Sequence, residues 1–149
     1  MSVDVQLATQ QPDTPNPELL ERWALSALAI SSDEPGELCV RVVDNQESQT
    51  LNAGYRGIDK PTNVLSFPTD VDIPDVKVLG DVVICAPIVE FEAAEQNKHV
   101  GDHYAHMVVH GVLHLMGYDH ESEGEAEQME QLEITILGEL GIADPYQAR

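Results

Sequence analysis

The chain has 149 residues, 42% of them hydrophobic, enough for one core of ordinary domain size and too few for two. No apolar stretch approaches the ~20 residues a membrane span needs, and Met1–Val5 lacks the basic patch and apolar run of a secretory signal, so a cytosolic chain is expected. Seven basic against 27 acidic residues leave a net charge of −20; this repels polyanions at long range, and neither DNA nor a membrane is expected as a partner.

Residues 2–8 alternate apolar and polar side chains, predicting a half-buried strand. Pro12, Pro15 and Pro17 end it. Pro17 suits the first position of a helix reaching about Ile30, with Leu20, Trp23, Ala27 and Ile30 on one face. Residues 31–36 stop that helix, and 37–43 read as a second strand. Asp44 followed by Glu47 resembles a capping box for a short helix that Gly54 would close. From Tyr55 the chain reads as irregular, with a short strand over 63–67 ended by Pro68 and a loop over 68–77. Residues 78–86 are near-continuously apolar, predicting a central strand, and Pro87 starts a helix to about Asn97. A histidine-rich helix follows from about Asp102 to Met116, ended by Gly117. Ser122 with Glu125 forms a second capping box, opening a last helix striped by Met129, Leu132, Ile136 and Leu140. About four strands and about five helices in mixed order predict one compact α+β domain over residues 1–149, with a mixed sheet. Cys39 and Cys85 lie apart in apolar segments without a CxxC pair, so buried free thiols are expected.

All six histidines fall between His99 and His120. On a helical wheel at about 100° per residue, His103, His106, His110 and His114 cluster within about 80°. The apolar residues of the same segment occupy the opposite side, predicting an anchored greasy face and a ridge of imidazoles. Two histidines four apart sit about 6 Å apart along the axis and can converge on one ion at about 2.0–2.1 Å. His106 and His114, about 12 Å apart along the axis, cannot easily share one. The third ligand must come from chain that folds back, and Gly117 with His120 three residues later supplies it. His110, His114 and His120 therefore read as a three-histidine site with an open position. His99, His103 and His106 are expected at the helix start, on the surface or in support of the ligands, and Asp119 as a local cap or support.

The spacing matches the metzincin signature H-E-x-x-H-x-x-G-x-x-H, but Gly111 stands where those proteases carry glutamate. Without that base, peptide hydrolysis is disfavoured, and a mid-helix glycine, about 1 kcal/mol worse than alanine, signals a close approach there. Three neutral ligands leave the full +2 of a zinc ion on the site, which suits an anionic phosphodiester. Phosphoryl transfer also wants a cation, and Arg56, in the turn 55–63 of the least acidic region, is the candidate.

HGVLHLMGYDH (110–120), RGIDKPTNVLSFP (56–68) and LGDVVICAP (79–87) together resemble the YbeY family of metal-dependent endoribonucleases. The resemblance implies a small α+β fold around a four-stranded sheet, one Zn2+ at His110, His114 and His120, and a functional Arg56. It implies cleavage of single-stranded RNA in small-subunit ribosomal RNA maturation and ribosome quality control in the bacterial cytoplasm. The partners implied are the small ribosomal subunit and an assembly GTPase. The alternatives are a non-catalytic, zinc-stapled ribosome assembly factor and, least favoured, a metzincin-like protease lacking the usual glutamate.

Overall fold

The computed structural model describes residues 2–30, 36–69, 74 and 77–146. In chain order the elements are β1 (Ser2–Ala8), α1 (Pro17–Leu28), β2 (Glu37–Val43), α2 (Asn45–Arg56), β3 (Val64–Pro68), β4 (Val78–Cys85), α3 (Ala86–Glu95), α4 (Val100–Leu115) and α5 (Glu123–Glu139). The sheet order is β1-β2-β4-β3. β1 and β4 run parallel to β2, and β3 pairs antiparallel with β4, placing Ser66 opposite Val82. The sheet is thus mixed, with the apolar β4 inside it as its sequence predicts. The expected stop over 31–36, apart from Gly36, and most of the loop 68–77 lie outside the described residues.

Strand alternation sends side chains to two faces. Val40, Val42, Val82 and Ile84 enter the main core with α1, α4 and α5, while Val43, Val83 and Leu65 form a smaller cluster with Leu51 of α2 on the other face. α1 starts where the Asn16 side chain accepts a hydrogen bond from the Leu19 amide at 2.9 Å, with Pro17 at its first position. α5 starts at Ser122, whose hydroxyl accepts from the Glu125 amide and donates to the Glu125 carboxylate, both at 3.2 Å; this is the first half of the expected capping box, with the carboxylate on the Ser122 hydroxyl rather than on its backbone amide.

The expected box at Asp44 does not form. Asp44 precedes α2, but its carboxylate accepts from the Thr9 hydroxyl and from the Gln10 amide, while Glu47 pairs with Arg41. Nor does Gly54 close the helix: α2 runs on to Arg56 and stops at Gly57, φ +71°. Tyr55 and Arg56 therefore belong to a helical turn rather than to irregular chain. Cys85 is buried, whereas Cys39 is only half-buried, on the sheet face that α2 leaves partly open.

α4 is the central helix, packed against α1, α3, α5, β3 and β4. Its imidazole side is not a solvent-facing ridge, because His103 and His106 are buried along with the apolar residues and only His110 and His114 are partly open. No helix among the described residues is long and apolar enough to cross a membrane.

Candidate metal centre

Where α4 ends, Gly117 takes φ +101°, its amide bonds to the His114 carbonyl at 3.0 Å, and the Tyr118 amide bonds to the Leu113 carbonyl at 3.1 Å. These two bonds make a Schellman stop, which a left-handed glycine permits without strain. The reversal carries His120 back beside the last turn of α4, and the Asp119 carboxylate accepts the His120 amide at 2.7 Å, a local cap.

The geometry brings His110, His114 and His120 together. Their ring centroids form a triangle with sides of 4.6, 5.1 and 5.7 Å, and each offers a nitrogen within 4.8 Å of the others. His110 Nε2 and His114 Nε2 are 3.1 Å apart. Two nitrogens bound to zinc at about 2.0–2.1 Å with tetrahedral angles stand about 3.3 Å apart, so the donor set fits such an ion with little adjustment. Burial, reinforced by His110 and His120 nearby, holds the His114 pKa below its usual value. That favours the neutral imidazole, the form that ligates.

These histidines floor a cleft of about 610 Å³. Its walls include Tyr55 and Arg56 from the end of α2, Asn63 and Ser66 from the segment around β3, and Asp119 and Glu121. Arg56 is exposed, and among the described residues no carboxylate lies within ion-pair distance of it. Gly111 lies behind the floor. A Cβ there would stand 2.5 Å from Val82 Cγ1 and 3.2 Å from Val64 Cγ2. The close approach is thus to the sheet, and any side chain at 111 would be driven into it rather than toward the cleft.

Two carboxylates back the site, Glu92 half-buried and Glu133 buried, and neither was singled out from sequence. Glu92 of α3 accepts from His103 Nε2 at 2.9 Å and from the Asn63 amide at 3.2 and 3.3 Å, so His103 supports the cleft wall. Glu133 of α5, fully buried, faces His106 Nε2 at 2.8 Å and His110 Nδ1 at 3.1 Å, and accepts from the Tyr146 hydroxyl at 2.5 Å. Burial alone would raise the Glu133 pKa; the hydrogen bonds from His106 and His110 outweigh it and bring the carboxyl to about 2. Burial also lowers the His106 pKa against the pull of Glu133, so at neutral pH this contact is a neutral N–H donated to a carboxylate rather than an ion pair. His106, His110 and Glu133 form a second convergent group, but donors already engage both carboxylate oxygens, which makes it a hydrogen-bonded support. The signal in the sequence was Glu133 itself, a charge in phase with the stripe of Met129 and Ile136.

Comparison with known proteins places the chain among relatives of one family. A family model for endoribonuclease YbeY matches residues 6–141. The endoribonuclease YbeY of Alteromonas mediterranea is 54% identical over 137 residues, covering 91% of this chain and 87% of that protein. The solution structure of TM1509 from Thermotoga maritima is similar with a TM-score of 0.58 at 28% identity, covering 97% of this chain and 99% of that one.

Proposed function

The chain belongs to the endoribonuclease YbeY family, and we propose that it is a zinc-dependent endoribonuclease cutting single-stranded RNA. The observation that carries this reading is one cleft holding three convergent imidazoles and a free arginine. His110, His114 and His120 hold the ion, and when bound it supplies Lewis acidity and positive charge to a phosphodiester. Arg56 is the catalytic arginine, its planar fork matching the charge that grows on the phosphoryl oxygens. Tyr55, exposed on the same wall, offers an aromatic face to an unpaired base, and only single strands present such bases freely. Asn63, its amide anchored on Glu92, shapes the wall rather than reacting.

The family resemblance supports placing the substrate among precursors of small-subunit ribosomal RNA, with roles in maturation and ribosome quality control. On the same support the site of action is the bacterial cytoplasm, and the partners are the small ribosomal subunit and an assembly GTPase.

Metal analysis joined to a cleavage assay tests the reading. The purified protein is expected to hold about one zinc per chain, and His114→Ala to lose it. Arg56→Ala should keep zinc yet cut single-stranded RNA about 10²–10³-fold more slowly, with duplex RNA poorly cut by the parent. An Arg56→Ala protein as active as the parent removes the assigned role. A second reading rests on His120 lying between α4 and α5, where an ion would tie those helices together. It requires that a variant retaining metal but unable to cut RNA still supports ribosome maturation.

A further inference from the structure

Glu133 is fully buried, and it faces His106, His110 and the Tyr146 hydroxyl. It occupies the apolar stripe of α5 with Met129 and Ile136. Packing does not call for a carboxylate there, since a well-packed apolar side chain serves a core at least as well as a buried polar group. Its use lies in what it accepts. An ionised carboxylate has no hydrogen to give, so every group facing it must present one. His106 therefore carries its proton on Nε2, 2.8 Å from Glu133 Oε1, and His110 carries its own on Nδ1, 3.1 Å from Glu133 Oε2. One carboxylate thus selects opposite tautomers in two histidines a turn apart.

The consequence falls on His110. A neutral imidazole has one N–H, and with that hydrogen on Nδ1 the lone pair of Nε2 points at His114 Nε2, 3.1 Å away. For His106 the other choice leaves Nδ1 buried without a hydrogen-bond partner, so its ring serves as a donor and not as a ligand. The chain beyond α5 completes the clamp. It reverses at Gly141, where the Ile142 amide bonds to the Leu137 carbonyl at 2.9 Å, and returns Tyr146 to Glu133. The Tyr146 hydroxyl reaches both oxygens, at 2.5 and 3.1 Å, and its ring stands edge-on to His106 with centroids 5.4 Å apart.

We propose that Glu133, steadied by Tyr146 and His106, is a positioning residue that fixes the tautomer and orientation of His110 and so keeps Nε2 ready for a divalent ion. This rests on the three-histidine reading of the metal centre. A carboxylate behind a ligating histidine raises its basicity and locks its ring, and removing such a partner typically costs about 10–100-fold in metal affinity.

Glu133→Gln is the informative change, because it keeps the shape but puts an NH2 where one oxygen accepted. That amide meets N–H donors, a conflict that His110 relieves by moving its hydrogen to Nε2 and accepting on Nδ1. Long-range ¹H–¹⁵N spectra of the metal-free protein, with ring-labelled histidine, read the tautomer directly. The parent should show His110 protonated on Nδ1, a measurement that needs no variant. Glu133→Gln should shift His110 toward the Nε2–H form and weaken zinc binding about 10–100-fold in competition with a chromophoric chelator. Tyr146→Phe, which keeps the carboxylate, should keep the tautomer and lose less than tenfold in affinity.

A parent whose His110 carries its proton on Nε2 overturns the proposal, as does a Glu133→Gln protein with unchanged tautomer and unchanged zinc affinity. A purely structural role would lower the melting temperature of Glu133→Gln without moving either readout, and that also overturns it. If the parent takes up no zinc at all, the metal reading itself falls; if the parent binds zinc and only the Glu133 comparison fails, that reading stands and this proposal alone is lost.

Discussion

Tyr55 and Arg56 sit side by side in the last turn of α2, and the proposed function gives them different work. The Tyr55 ring meets Phe67 edge-on, with centroids 4.6 Å apart, yet remains 55% exposed on the cleft wall. Stacking on an unpaired base is worth about 1–3 kcal/mol, so Tyr55→Ala should weaken binding of a short single-stranded RNA by about 5–150-fold. Tyr55→Phe should bind like the parent, because the ring and not the hydroxyl carries the contact. Fluorescence anisotropy decides it, and equal affinity for Tyr55→Ala removes the stacking role. The convergence of His110, His114 and His120 was legible because two spacings and a glycine stop restrict where three imidazoles can meet. Glu133 was not, because its role depends on how α5 crosses α4, and a lone glutamate on an apolar stripe does not reveal which donors it will face.

Among the helices, α4 shows how a local rule yields to packing. Alanine at 111 would improve helix propensity by about 1 kcal/mol, but its Cβ would enter Val82 at 2.5 Å between helix and sheet. Overpacking of that kind costs about 1–3 kcal/mol. The net cost of about 0–2 kcal/mol means that Gly111→Ala is expected to melt at or up to several degrees below the parent in a thermal scan, and a stabilised variant would contradict the packing account. The contact between α3 and α4 has its own pH signature. Burial would raise the Glu92 pKa, but hydrogen bonds from His103 and Asn63 prevail and hold it below the usual 4.5. A carboxylate depressed in the folded state stabilises above its unfolded pKa, and that contribution disappears as pH falls through the folded value. Melting temperature should thus drop as pH falls below about 4.5, and more shallowly in Glu92→Gln; parallel profiles would show that Glu92 contributes nothing. Element boundaries were legible where local chemistry decides them, as at Pro17, Ser122 and Gly117. The end of α2 was not, because Gly54 is tolerated inside the helix and the stop falls at Gly57, where the chain turns left-handed.

For the molecule as a whole, a net charge of −20 has to coexist with an anionic substrate. Arg56 is the only lysine or arginine lining the cleft among the described residues, and Asp119 and Glu121 line it too. Long-range attraction therefore does not hold the RNA; on the proposed function, a divalent ion on the three histidines, Arg56 and the Tyr55 ring do so at short range. For single strands, log affinity falls with log salt by about 0.7 per phosphate neutralised. With about two or three phosphates engaged, raising salt from about 50 to about 200 mM should weaken RNA binding roughly tenfold, against 10³–10⁵ for proteins making six to ten such contacts. Screening of the protein's own repulsion flattens the slope further. Stripping the ion with a chelator should cost more affinity than that whole salt range. A thousandfold salt effect that survives chelation would place the RNA on cations elsewhere on the surface, and the cleft would no longer be where it binds.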